Sequence, residues 1–270
     1  MIFTDQLNRT INLSVWPPQR IVSLVPSQTE LLAELGLENE VVGITKFCVH
    51  PRNWFESKPR VGGTKTLNFA KIAALKPDLI IGNKEENERA QIEQLAKQYP
   101  VWMSDVATLG DAYDMIQRVG ELVGKADEAK KLIEKIQTSF AVQSQTSNVQ
   151  RHKVAYFIWR KPWMVAGRGT FIDEMLRVAG FENVFSHKSR YPEITFEELE
   201  KAGPEVILLS SEPYPFSEKH CAAFREVCPV ATIQLVDGEM FSWYGSRLLH
   251  AAAYFRKLYR LLQLPYETGR

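Results

Sequence analysis

Residues 69–85 read FAKIAALKPDLIIGNKE, and residues 196–212 read FEELEKAGPEVILLSSE. Phe69 aligns with Phe196, Pro77 with Pro204, Asp78 with Glu205 and Glu85 with Glu212, all at one offset of 127 residues and without a gap. Each copy is a short amphipathic segment, a proline followed by an acid, and an apolar run, which reads as helix, turn and buried strand. Upstream, ELLAELGLENEVVG from Glu30 is echoed by EMLRVAGFENVF from Glu174, each a helix closed by Gly36 or Gly180 and followed by Glu-Asn. Apolar runs precede both, Ile21 to Val25 and Val154 to Ile158. Two blocks recurring in the same order mark an internal duplication rather than two coincidental helix-strand pairs.

Between the copies lies ADEAKKLIEKIQTSFAVQSQ, Ala126 to Gln145. Ala129, Leu132, Ile133, Ile136 and Phe140 follow the spacing of one stripe on an α-helix. Asp127 and Glu128 suit the positive end of the helix dipole, and Gly124 closes the helix before it. Twenty residues at 1.5 Å each give a rod of about 30 Å. The expected fold is therefore α/β: two Rossmann-like lobes with parallel sheets, residues 1–124 and 148–270, joined by a single long backbone helix in 125–147, with a ligand cleft between the lobes.

A chain of 270 residues that is 45% hydrophobic is long enough for two cores of this size. A formal net charge of +1 leaves no electrostatic footprint for nucleic acid or a membrane surface. Cys48, Cys221 and Cys228 form no CxxC and imply no disulfide framework. No apolar run approaches the 18 residues of a membrane span. MIFTDQLNRTINL carries neither the basic start nor the apolar core of a secretion signal, which leaves a cytoplasmic location open.

In chain order, Ile2 to Leu13 alternates about Asn8-Arg9 like a hairpin, and Arg20 to Val25 is a buried strand. Pro26-Ser27-Gln28-Thr29 then turns into a helix capped by Ser27 or Thr29. Val41 to Thr45 leads into the loop Lys46–Pro51, and Leu79 to Ile81 feeds Lys84-Glu85-Glu86-Asn87, the start of a helix through Ala96. In the second half, Trp159 to Gly169, Ser186 to Pro192, Ser210 to Phe216 and Asp237 to Gly245 are the loops, and Ser246 to Leu262 the closing helix. These loops follow the carboxyl ends of strands, the edge where open α/β sheets bind ligands.

An enzyme is the rival class, and its parts are missing. Pro26-Ser27-Gln28 stands where a dinucleotide fold needs GxGxxG, and no P-loop, HExxH or GxSxG occurs. Cys48 with His50 is the one nucleophile-base pairing available, and no third residue orients the base. His50 is also a weak candidate for reaching a metal centre; the other histidines lack ligand spacing, so no catalytic residue and no resident metal or cofactor is expected.

The duplication, the central helix, Phe69-Ala-Lys-Ile-Ala-Ala-Leu-Lys-Pro-Asp-Leu-Ile-Ile81 and Gly180-Phe-Glu-Asn-Val-Phe185 together resemble the helical-backbone, class III family of periplasmic substrate-binding proteins of ABC importers. The resemblance runs from about Arg20 to Leu262. RIVSLVPSQTELLAELGL and the late WYGSR are most like its cobalamin-binding branch. It implies a monomer outside the cytoplasmic membrane that captures a small-molecule metal chelate of cobalt or iron. Cobalamin is the first expectation; a ferric siderophore or haem is the alternative.

For such a ligand, the strand-end residues Ser27, Gln28, Phe47, His50, Lys65, Trp159, Lys161, Trp163, Arg190, Trp243, Tyr244 and Arg247 are the candidates. A macrocycle fringed with amides suits aromatic walls with a few polar anchors, and the basic residues, with Arg168, suit an anionic siderophore. The resemblance also implies docking on an ABC permease dimer through one surface glutamate per lobe. The repeat offers Glu85 and Glu212, with Glu86 and Glu88 as neighbours that leave the first register open.

Overall fold

The computed structural model describes residues 1–141 and 151–262, and the chain divides into two compact units. The first holds Met1–Val106, Gly110–Lys135 and Tyr244–Arg247; the second holds Ala107–Leu109, Ile136–Trp243 and the chain from Leu248.

The first unit opens with a hairpin of β1 (Ile2–Thr4) and β2 (Thr10–Asn12), turned by Asn8 in the left-handed region. Its main sheet is parallel, in the order β4 (Val41–Ile44), β3 (Ile21–Ser23), β5 (Leu79–Asn83), β6 (Val101–Ser104). Helices α1 (Pro26–Glu34), α2 (Arg52–Ser57), α3 (Phe69–Leu75), α4 (Arg89–Ala96) and α5 (Leu109–Leu122) connect or follow these strands. Val22, Leu24, Ile72, Ile80, Ile92, Leu95 and Met103 form one core cluster. Burial on both faces explains why these strands read as continuous apolar runs and not as alternations.

Helix α6 (Ala126–Ala141) buries Ala129, Leu132, Ile136 and Phe140 and leaves Ile133 half-buried, the stripe its periodicity predicts. Residues 142–145 of the expected helix, and the polar linker as far as residue 150, lie outside the described residues.

The second unit repeats the sheet. β7 (His152–Trp159), β10 (Val206–Ser210) and β11 (Thr232–Val236) are parallel neighbours, and β9 (Phe181–Asn183) pairs with the start of β7. β8 (Met164–Val165) turns back antiparallel on the end of β7, so the expected Trp159 to Gly169 loop is part hairpin. Helices α7 (Phe171–Val178), α8 (Phe196–Ala202), α9 (Glu218–Val227), α10 (Glu239–Ser242) and α11 (Leu248–Leu261) complete it. Ala155, Phe157, Leu199, Ile207, Leu209 and Phe224 lie in its core.

The duplication holds residue for residue in these elements: α3 and α8, and β5 and β10, begin and end 127 positions apart. So do the caps. Asn68 and Thr195 accept from the backbone N–H of Lys71 and Glu198, and Lys76 and Gly203 end their helices in the left-handed conformation.

Three expectations at element ends change. Neither Ser27 nor Thr29 caps α1; Val25 stands at the cap position with Pro26 in the first turn, where its missing N–H costs nothing. Lys84 to Asn87 form a turn, and α4 begins only at Arg89, because Asn83 and Asn87 engage the intervening backbone. Short α2 and α10 sit in segments too brief to show a helical period. Among the described residues, no helix is long and apolar enough to cross a membrane.

Candidate functional site

In the first unit the carboxyl ends of the strands carry a buried polar layer. Gln28 Nε2 and Asn83 Nδ2 both donate to Ser104 Oγ, Asn87 Oδ1 accepts from Asn83 N, and Asn87 Nδ2 donates to Thr64 O at 3.0 Å. Gln28, Asn83, Asn87 and Ser104 are each at most 4% exposed. Beside them Thr29 Oγ1 donates to Val25 O, and Cys48 Sγ lies 3.1 Å from the hydroxyls of both Thr29 and Thr45. Burial pushes the Cys48 thiol up from its ordinary range, with the two threonines partly opposing. A fully buried thiol kept protonated this way is a structural group and not a nucleophile.

Phe47 stands out from this layer. It is 49% exposed, with the Lys46 ammonium 5.0 Å from its ring centroid, and Val49 beside it is 38% exposed. His50 is half-buried at the end of the same loop. Lys65 is exposed, and its Nζ donates to Glu85 O at 2.5 Å. Ser27 and Gln28 are buried among the strand ends.

Arg247 departs most from expectation. Its Nε and Nη2 donate to the two carboxylate oxygens of Glu30 at 3.0 and 2.6 Å, and the side chains are only 12% and 20% exposed. This fork takes two of the five N–H donors of the guanidinium. Tyr244 is buried, and a Cβ on neighbouring Gly245, whose φ is +113°, would come 3.3 Å from Ser27 O and 3.4 Å from Leu31 Cβ.

In the second unit Trp159 is 39% exposed at the end of β7 and meets Tyr214 edge-on, with 5.7 Å between centroids. Trp163 instead packs among Phe157, Phe196, Phe216 and Phe224, and caps the core rather than facing outward. Trp243 is buried, and its Nε1 donates to Glu212 Oε1 at 2.8 Å. Lys161 and Arg190 are exposed, and Arg190 Nη1 donates to Gly169 O.

The expected docking carboxylates differ from each other. Glu85 and Glu86 give their backbone N–H groups to Asn83 Oδ1, while Glu212 Oε1 also accepts from Ser242 Oγ at 2.8 Å. Burial pushes the Glu212 carboxyl up, with Glu239 and Asp237 adding to the effect and the bonds from Ser242 and Trp243 opposing it. The exposed acids at the starts of the matching helices are Glu88, the cap position of α4, and Glu218, the first residue of α9. Sequence reasoning does not single out Tyr214, Asn83, Asn87 and Ser104, which the structure places at these strand ends; the hint is an amide closing an apolar strand and a Pro-Tyr-Pro step. Among the described residues no group of three or more His, Cys, Asp or Glu side chains is placed to hold a metal ion.

Residues 21–224 match the family model described as "Periplasmic binding protein". A vitamin B12-binding protein of Pectobacterium atrosepticum is 26% identical over 249 residues, spanning 87% of this chain and 86% of its own length. YvrC of Bacillus subtilis, described as an uncharacterized ABC transporter substrate-binding lipoprotein, is 28% identical over 243 residues, spanning 86% and 77%. The fold matches the periplasmic vitamin B12 binding protein BtuF of Vibrio cholerae with a TM-score of 0.78 at 22% identity, over 92% of this chain and 98% of that one. It matches the periplasmic heme-binding protein RhuT from Roseiflexus sp. RS-1 with a TM-score of 0.75 at 21% identity, over 91% and 99%.

Proposed function

This chain belongs to the periplasmic binding protein family, whose members are transport proteins that bind substrates rather than enzymes, and from that premise we propose that its ligand is a corrinoid of the cobalamin type. The observation that carries this is the pair of exposed aromatics in loops that follow strand ends: Phe47 after β4, and Trp159, backed by Tyr214, at the end of β7. A corrin ring presents flat apolar faces, which exposed aromatic side chains suit. Of the basic residues expected to suit an anionic siderophore, Arg247 is paired with Glu30, while Lys65, Lys161 and Arg190 are exposed. The vitamin B12-binding relatives support the same choice.

In this reading the protein works outside the cytoplasmic membrane and delivers its ligand to an ABC permease dimer. We assign the docking contacts to Glu88 and Glu218 in place of Glu85 and Glu212, because both are exposed and both open the helix that follows a repeat strand. Arginines on a permease would pair with them bidentately. Parallel calorimetric titrations with cyanocobalamin, haem and a ferric hydroxamate test the ligand. The expected order has cobalamin tightest at one per chain; tighter haem or siderophore binding overturns the choice of ligand.

A further inference from the structure

Glu212, expected as a surface docking carboxylate, is bonded inward by Ser242 and Trp243. It stands two residues past the end of β10, at the head of the Ser211 to Phe216 loop. Its Oε1 accepts two hydrogen bonds at 2.8 Å, from Trp243 Nε1 and from Ser242 Oγ at the end of α10. The backbone around it is closed as well: Ser210 Oγ donates to Glu212 O at 2.6 Å, and Gly238 N donates to Ser211 Oγ at 2.9 Å. A Cβ on Gly238 would stand 2.6 Å from Glu212 Cγ, so the start of α10 lies directly on this side chain. Farther along the same loop, Tyr214 N donates to Ile158 O and the Tyr214 ring meets the exposed Trp159.

We propose that Glu212 is a positioning residue that holds Trp243, and with it the loop carrying Tyr214 against Trp159, in the pose that receives ligand. The proposal rests on the assignment of the strand-end loops of this unit to ligand uptake. An indole N–H is a donor only, and when buried it needs an acceptor. One carboxylate oxygen serves both Trp243 and Ser242, which is how a single side chain ties α10 to the loop after β10. What the geometry uses is the acceptor. Glutamine keeps a carbonyl oxygen at the same reach, whereas alanine keeps none. The charge is a burden in a neighbourhood that already contains Asp237 and Glu239.

The test uses the full chain with its six tryptophans labelled with ¹⁵N, read by indole N–H spectra and by titration with cyanocobalamin. Single Trp→Phe variants assign the signals. Glu212→Ala is expected to shift the Trp243 and Trp159 indole signals, to leave those of Trp54 and Trp102 in place, and to weaken cobalamin binding about tenfold or more, in line with the loss of a hydrogen bond to a charged group. Glu212→Gln is expected to keep both signals and bind within about threefold of the parent, since the acceptor survives. Glu212→Asp, which withdraws the carboxylate by one methylene, replaces the alanine variant if that does not fold. A Trp159 signal unmoved in Glu212→Ala overturns the proposal, as does unchanged affinity when the Trp243 signal has moved. If the parent protein does not bind cobalamin, the ligand assignment fails, and the Trp159 signal still decides whether Glu212 positions this loop.

Discussion

Asn83 and Ser210, 127 positions apart, each end a strand and turn the chain by accepting from the backbone N–H two residues on, Glu85 at 2.8 Å and Glu212 at 3.3 Å. The duplication thus extends past the strands into their exits, and the two exits then diverge. Asn83 joins a network with Gln28, Ser104 and Asn87, whereas Ser210 is bonded by Tyr156 and shares its loop with Glu212.

The divergence of one cap gives the first prediction. Lys76 holds a left-handed φ of 45° where its counterpart Gly203 holds 55°. A side chain in that region costs about 1 kcal/mol, which glycine avoids. Lys76→Gly should raise stability by about 0.5 kcal/mol or more in urea unfolding, and Gly203→Lys should lower it by about 1 kcal/mol. Equal stability in all three proteins would remove the strain argument.

The Glu30 and Arg247 fork predicts strong coupling. Removing one partner strands a charge that is mostly buried, and Arg247→Ala or Glu30→Ala alone should each cost about 3 kcal/mol. The double variant should cost clearly less than the sum, because it leaves no orphan charge. Strict additivity in the unfolding cycle would mean that the pair is solvated in solution.

His220 predicts the acid limb of stability. Its Nδ1 accepts from Ser217 N–H at 2.9 Å, which puts the neutral ring's proton on Nε2, beside the Tyr214 hydroxyl. Burial holds its pKa below the ordinary range, and the positive charges of Arg160 and Lys219 add to this. The unfolded chain therefore takes up this proton at about pH 6.5 and the folded chain only at lower pH. The contribution is complete above about pH 6.5 and is lost as pH falls through the folded value. Melting temperatures between pH 7.5 and 4.5 should fall more steeply for the parent than for His220→Gln, which can close the same capping box without titrating. Parallel slopes would show that this ring does not titrate on unfolding.

Much of the fold is legible in the residues, and what is not has physical causes. The repeat and the stripe on α6 follow from periodicity, which survives because each position meets the same core in both copies. The WYGSR segment draws attention for its aromatics and its arginine, but a sequence does not say which way a side chain turns. Trp243 turns to Glu212 and Arg247 to Glu30, partners 31 and 217 residues away in sequence. Trp163 illustrates the same limit: its loop setting suggests a ligand wall, and the phenylalanines it caps are spread from Phe157 to Phe224.

Docking gives a prediction independent of ligand. Exchanging both Glu88 and Glu218 for Gln should leave ligand affinity unchanged and weaken association with the cognate ABC permease, most of all at low salt, where unscreened charge contributes most. A pull-down or surface-binding assay on permease in nanodiscs reads this directly. Undiminished association would return both residues to the role of favourable charges at helix starts.

Whether the exposed Trp159 edge takes up a corrinoid is decided by a tryptophan fluorescence titration of the parent protein and Trp159→Phe with cyanocobalamin. Saturable quenching at one ligand per chain is expected, with much of the quench lost and the affinity lowered about tenfold in Trp159→Phe, as when one stacking aromatic is altered. Absence of saturable quenching in the parent protein, or a variant that binds and quenches as the parent does, would refute corrinoid uptake at this edge.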